Sequence, residues 1–200
     1  MQNKNMTNTR KLVVTAMLSS IATVLMLFEI PLPFVAPPFY KMDFSEIPVL
    51  IGAFSLGPLS GVIIEAIKVL LNLIINGTTT GGVGELANFL IGCSFVVPAA
   101  LIYKYKKTKV GAIISMAVGT VAMAVLGVII NAYLMIPIYS QFMPLEQIIQ
   151  MGKDIVPFIK DTLTFCIFCV APFNFIKGVL ISTITTFIYK PLSRVIHPKS

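Results

Sequence analysis

Between two long apolar runs the sequence places residues 103–109, YKYKKTK, with Lys104, Lys106, Lys107 and Lys109 inside six positions. It is the only dense basic cluster away from the termini. Short loops rich in Lys and Arg are retained on the cytoplasmic side of a bilayer. If the flanking runs cross a membrane, this turn fixes the sidedness of every other segment. The composition says that they do: 56% of residues are hydrophobic and 12% charged, with mean hydropathy +0.91. So little polar material cannot cover a soluble globule of 200 residues. The expected class is all-α, a single bundle of transmembrane helices without a separate soluble domain.

The net charge of +7 raises nucleic acid as a partner, but the basic residues stand at the ends of apolar runs. There anionic lipid and the positive-inside bias account for them, and no nucleic acid is expected. The first run is too long for a secretory signal and lacks a small-residue cleavage site, so it reads as the first span. Cys166 and Cys169 form a C-x-x-C in the apolar segment TFCIFCVAP. With no second pair and no nearby His to complete a metal site, they read with Cys93 as packing residues.

Six spans are expected, at about 12–30, 45–56, 59–75, 85–103, 110–136 and 173–190. The second and third hinge on Gly57 and Pro58, where Pro follows Gly as the first residue of a new helix. Without that break the chain has five spans and the lysine turn falls outside. With it both termini are cytoplasmic, and the inner side collects Lys4, Arg10, Lys11, Lys104, Lys106, Lys107, Lys109, Lys190, Arg194 and Lys199. These are ten of the fifteen bases, with none of the eight acids. The short second span, about 18 Å long at 12 residues, requires a thinned bilayer or dipping loops.

Several segments carry further information. Thr15, Ala16, Ser19, Ser20 and Thr23 give the first helix a small face, which permits close backbone approach in lipid. That face serves either packing inside the bundle or docking of another membrane protein. Pro31, Pro33, Pro37 and Pro38 end the helix and open an outer loop. Glu65 and Lys68 stand at i and i+3 in mid-span and read as a structural ion pair. The loop GTTTGGVG after Asn76 resembles a phosphate loop only superficially, since no G-x-x-x-x-G-K-[ST] occurs. Residues 139–170 read as a long mixed outer segment, part helical and part membrane-dipping.

The six-span arrangement brings 41–46, 76–88, Asn131 and 174–177 to the outer half of the bundle. Amides and a lysine in apolar helices are costly unless partnered. Their convergence points to a site for a ligand rich in polar groups. Phe39, Tyr40, Phe44, Phe89, Tyr133 and Phe173 are candidates for its flat walls, or singly for interface anchors. Catalysis finds no support. His197 lies in the inner tail, and GPLSG at 57–61 has no membrane-embedded His to activate Ser60. No enzyme activity, metal or resident cofactor is expected.

The segments MDFSEIP, GPLSGVIIEAIK, GGVGELANFLIG, NAYLMIPIY and PFNFIKG resemble those of the riboflavin-specific S components of energy-coupling factor (ECF) vitamin transporters, over about residues 10–192. The resemblance implies an outward-facing riboflavin pocket and assembly with a transmembrane coupling subunit and two ATPases. Riboflavin is then a transported ligand rather than a cofactor. It further implies Asn88, Asn131, Asn174 and Lys177 as ligand-binding residues, with Glu85, and Ala16 and Ser20 as the coupling-subunit contact, where the family's A-x-x-x-A reads A-x-x-x-S. Tyr40, Lys41 and Phe44 complete the candidate pocket. An S component for another vitamin, or a stand-alone secondary carrier, is the alternative.

Overall fold

The computed structural model describes residues 7–78 and 80–196. Lys4, Thr79, His197 and Lys199 lie outside the described residues. Helix α1 spans Asn8–Met26, α2 Glu46–Leu56, α3 Pro58–Asn76, α4 Val83–Tyr105 and α5 Lys109–Ile130. The fifth helix continues through a π-helical turn, Asn131–Met135, into α6, Ile136–Tyr139. After α7, Leu145–Lys153, the last helix runs as α8, Thr162–Phe165, a second π turn, Cys166–Val170, and α9, Ala171–Ile196. Two residues on each side form an antiparallel ribbon, β1 Ile30–Pro31 with β2 Lys41–Met42.

Among the described residues, five helical segments are long and apolar enough to cross a membrane: Asn8–Met26, Pro58–Asn76, Val83–Tyr105, Lys109–Tyr139 and Thr162–Tyr189. The sixth, α2, has 11 residues and reaches only about 16 Å. Every residue from Glu46 to Phe54 is buried, as expected of a helix apolar on all sides. It packs against α1, α3, α4 and α9. The weakness of a short lipid-facing span is thereby resolved: α2 is a core helix sheathed by longer ones. Its end is set by Gly57, which holds φ at 104°, a conformation glycine adopts at no steric cost. Pro58 then starts α3 at its first position, where a missing N–H costs nothing.

The boundaries differ from the sequence expectation in two places. The first helix stops at Met26, short of residue 30, because Ile30 precedes Pro31. A residue before proline is pushed toward extended backbone, and Ile30 accordingly pairs with Met42 in the ribbon. The last span does not begin after Pro172. Its helix starts at Thr162 behind a capping box: Asp161 Oδ1 accepts from Thr164 N–H at 2.8 Å, and Asp161 N–H donates to Thr164 Oγ1 at 3.0 Å.

Pro172 and Pro137 both sit inside these continuous helices. A proline ring meets the carbonyl four residues earlier, here at residues 168 and 133. Both positions are the centre of a π turn, whose wider circuit gives the ring room. The two π turns also pack against each other.

At the opposite end, only residues 106–108 join α4 to α5. Thr108 caps α5 by accepting from Gly111 N–H at 2.9 Å, and Lys104, Lys106, Lys107 and Lys109 are all exposed. Cys166 and Cys169 are buried in the apolar cluster of Phe165, Val170 and Phe173, as packing residues should be.

Candidate functional site

A cavity of about 100 Å³ opens between the ribbon loop and helices α4, α5 and α9. Asn88 reaches it from α4, Asn131 from the first π turn, Asn174 and Lys177 from α9, and Tyr40 and Lys41 from the loop. Phe39, Tyr139 and Phe173 supply its flat walls. Three segments that lie far apart in the chain, carrying Asn88, Asn131, and Asn174 with Lys177, thus line one space.

Their hydrogen bonding is unequal. Asn131 is held at both ends of its amide: Oδ1 accepts from the Tyr40 hydroxyl at 2.8 Å, and Nδ2 donates to the Gly127 carbonyl at 2.8 Å. Burial pushes the Tyr40 phenol well above its ordinary value, so it remains a neutral donor. Asn174, by contrast, is 3% exposed and its Nδ2 has no partner; Asn88 Oδ1 has none either. A buried amide group without a partner costs about 1 to 3 kcal/mol. A free donor and a free acceptor lining one cavity form an arrangement complementary to a polar ligand. Gly127 belongs to the same construction, since a Cβ there would collide with Asn174 Nδ2.

Lys177 donates to Asp43 Oδ2 at 3.1 Å. Burial opposes the charge on Asp43, yet Lys177, Lys68 and the hydrogen bonds from Ser45 outweigh it and hold the carboxyl at about 2. Both the Ser45 N–H, at 2.8 Å, and its hydroxyl donate to Asp43 Oδ1. The Glu65–Lys68 pair is present at 2.7 Å, but it belongs to a larger group. Lys68 Nζ also lies 2.9 Å from Glu46 Oε1, and Glu46 Oε1 lies 3.9 Å from Lys177. Sequence spacing could reveal only the local pair. Asp43 and Glu46, in the segment MDFSEIP, join it through tertiary packing.

Four expected pocket residues, Phe89 among them, do not line the cavity. Glu85 accepts from Thr78 Oγ1 at 3.1 Å and braces the loop after α3, where Gly77, Gly81 and Gly82 have positive φ. Phe44 packs between the two apolar clusters. Tyr133 is 76% exposed, on the outside of the π turn. Lys41 lines the cavity but is half-exposed and paired with Glu29 at 2.7 Å. Tyr139 is the wall residue that the sequence left unremarked.

A larger cavity, about 300 Å³, lies at the lysine end between α2, α4, α5 and α9. Phe54 and Tyr103 stack there at 4.3 Å, and the Tyr103 and Tyr189 hydroxyls are hydrogen-bonded at 3.1 Å. Volume favours this cavity; unpartnered amides favour the smaller one. Chemistry is the better guide, because polar groups fix a ligand's orientation and specificity.

On α1 the small face divides. Thr15, Ser19 and Thr23 are buried against the bundle, whereas Ala16 and Ser20 are exposed among Leu12, Val13, Met17, Ile21 and Val24. The Ser20 hydroxyl donates to the Ala16 carbonyl at 3.0 Å, which leaves this outward face smooth and without a free donor.

Comparison with known proteins agrees with the fold and the membrane assignment. The chain is 38% identical over 183 residues to the riboflavin transporter FmnP of Bacillus subtilis (strain 168), covering 90% of each. It is 33% identical over 189 residues to the riboflavin transporter RibU of Staphylococcus aureus (strain TCH60), covering 94% of this chain and 93% of that one. A solved chain described as the S component of a bacterial ECF transporter superposes with a TM-score of 0.74 at 32% identity, covering 94% of this chain and 98% of that one. Residues 10–189 match the family described as ECF transporter, substrate-specific component. This chain, a multi-pass protein of the plasma membrane, belongs to the family of ECF transporter substrate-specific components.

Proposed function

We propose that the chain captures riboflavin from outside the cell and presents it for ATP-driven delivery by a coupling subunit and two ATPases. The observation that carries this reading is the set of Asn88, Asn131, Asn174 and Lys177 on one cavity, two of whose amides have a free polar atom. Riboflavin has a flat ring edged by imide donors and acceptors and a chain of hydroxyls. Amides satisfy such groups in both directions, and Phe39, Tyr139 and Phe173 offer faces for the ring. Relatives that are riboflavin transporters support the same ligand.

In the six-span reading both termini and the lysine turn are cytoplasmic, and the cavity opens to the outside. The cavity of about 100 Å³ is below the range of about 300 to 1,000 Å³ usual for small-molecule sites. Riboflavin therefore enters only as the walls part, including the loop of residues 32–40, which is held by the short ribbon, the Tyr40–Asn131 hydrogen bond and the buried Ala36. Docking of the coupling subunit is assigned to the exposed Ala16 and Ser20, where lipid-facing small residues allow helices to approach.

The test uses the flavin's own absorbance. Protein purified in detergent should be yellow, and stacking on the cavity aromatics should quench flavin fluorescence. A colourless preparation that also fails to quench added riboflavin would move the assignment to another vitamin. Uptake in cells lacking the ATPases would favour a stand-alone carrier.

A further inference from the structure

Behind the ligand cavity lies a group of five charged residues, and their charges do not balance. Asp43, Glu46, Glu65, Lys68 and Lys177 are the buried charged side chains among the described residues, each no more than 5% exposed. With every group ionised, three carboxylates face two ammonium ions. One net negative charge enclosed in an apolar bundle is costly, since a buried ion needs a partner or must be neutralised.

The geometry shows where the excess falls. Asp43 receives Lys177 and two bonds from Ser45. Glu46 receives Lys68 at 2.9 Å and the more distant Lys177 at 3.9 Å. Glu65 has Lys68 alone, at 2.7 Å, although it is fully buried. Glu46 Oε2 and both oxygens of Glu65 have no hydrogen-bond partner, the Lys68 contact with Glu65 Oε1 being an ion pair.

Lys68 Nζ is shared between these two carboxyls, 2.9 Å from Glu46 Oε1 and 2.7 Å from Glu65 Oε1, so one ammonium ion faces two acids. Gly92 makes room for them: a Cβ there would run into the Glu65 carboxyl and lie 3.1 Å from Glu46 Oε1. One ammonium ion balances only one carboxylate, so the other acid is neutral only if it carries a proton. The other titratable group facing the pair is Cys93 of α4, whose thiol adds no positive charge. A metal ion in place of the proton finds too few ligands, because Lys68 already occupies the position between the two Oε1 atoms. No group of three or more His, Cys, Asp or Glu side chains suited to a metal occurs among the described residues.

We propose that Glu65 binds one proton at neutral pH, which leaves the five-residue cluster electrically neutral. The cluster adjoins the ligand cavity through Lys177 and Gly92, which line both. Lys177 then meets a ligand as a hydrogen-bond donor whose charge Asp43 already balances. The protonation itself does not depend on which vitamin is bound.

Infrared spectroscopy of the ligand-free full chain, in a detergent without ester groups, tests this. At neutral pH the wild type should show a protonated-carboxyl C=O band with the amplitude of one carboxyl per chain. The band should shift when glutamate alone is labelled with 13C at its side-chain carboxyl. In Glu65→Asp it should lose that sensitivity and respond to labelled aspartate. In Glu46→Gln it should vanish, because Glu65 then ionises to balance Lys68. Absence of the band in the wild type overturns the proposal without recourse to any variant, as does a wild-type band that follows labelled aspartate. A Glu65→Asp band that still follows labelled glutamate overturns the placement on Glu65.

Discussion

The two ends of the bundle treat their polar groups in opposite ways. At the lysine end most polar groups are satisfied: the Tyr103 and Tyr189 hydroxyls hydrogen-bond each other, Thr108 caps α5, and the lysines stand in solvent, although the buried Thr185 Oγ1 on that cavity's wall has no partner. At the cavity end, Asn88 Oδ1 and Asn174 Nδ2 are left without partners, and the buried Lys177 lines the same space. The first arrangement lowers the free energy of the protein alone; the second holds capacity in reserve for a ligand. Cavity size would have ranked the ends the other way round.

The sharpest break in this comparison is Lys177→Met. Removing one partner of a buried ion pair strands the other, here Asp43, and typically costs about 3 to 5 kcal/mol. The variant should lose that stability in denaturant titrations and also lose riboflavin binding. Lys107→Met, an exposed change at the other end, should stay within about 0.5 kcal/mol. Equal effects of the two substitutions would erase the contrast.

Next in size is Asn174→Leu, which keeps the branched shape and removes the amide. A ligand group facing it would be left unpaired, at a cost of about 1 to 3 kcal/mol. That corresponds to about 5- to 150-fold weaker binding in a fluorescence-quenching titration. Stability should hold or rise slightly, because the unpartnered Nδ2 is gone. Tyr103→Phe should do the reverse: about 0.5 to 1.5 kcal/mol less stability with affinity unchanged.

A smaller effect concerns pH. The Asp43 carboxyl is held at about 2 against an ordinary 3.8, so its folded value is depressed. The stabilisation from that shift, about 2 kcal/mol, is complete above pH 4 and is lost as pH falls toward 2. Thermal stability should therefore drop below about pH 4, and the drop should be weaker in Asp43→Asn. An acid-side drop of equal size in that variant would place the titrating group elsewhere.

Where the sequence was informative, the signal was local. Gly57 and Pro58 mark a helix break by their own stereochemistry, and Glu65 with Lys68 declares a pair by its i, i+3 spacing. Convergence of Asn88, Asn131, Asn174 and Lys177 followed from counting spans against the lysine turn. What stayed hidden was tertiary. Glu46 joins Lys68 across 22 residues and Asp43 joins Lys177 across 134, distances at which no periodicity operates. The π turns were hidden for another reason: Pro172 reads as a helix boundary unless the preceding turn is known to widen. Asp161 and Thr164 were the available sign that the helix begins earlier.

The smallest expected effect on binding comes from the outward face of α1. Ala16 and Ser20 lie about 12 to 18 Å along a helix that begins at Asn8, at 1.5 Å per residue. No residue of α1 lines the cavity, and both side chains are exposed on the face away from the bundle. A bulky group there adds no strain to the isolated subunit, so Ser20→Trp should change riboflavin affinity by less than about twofold, the scale of an ordinary surface substitution. The same side chain would hold an approaching helix away, because small-faced contacts in lipid depend on close backbone packing. Vitamin uptake by cells carrying the whole transporter should therefore fall while binding by the purified subunit persists. Uptake that survives Ser20→Trp would remove α1 from the assembly surface. Loss of binding by a well-folded Ser20→Trp subunit would instead tie this face to the cavity and end the division of labour between the bundle's exterior and its polar end.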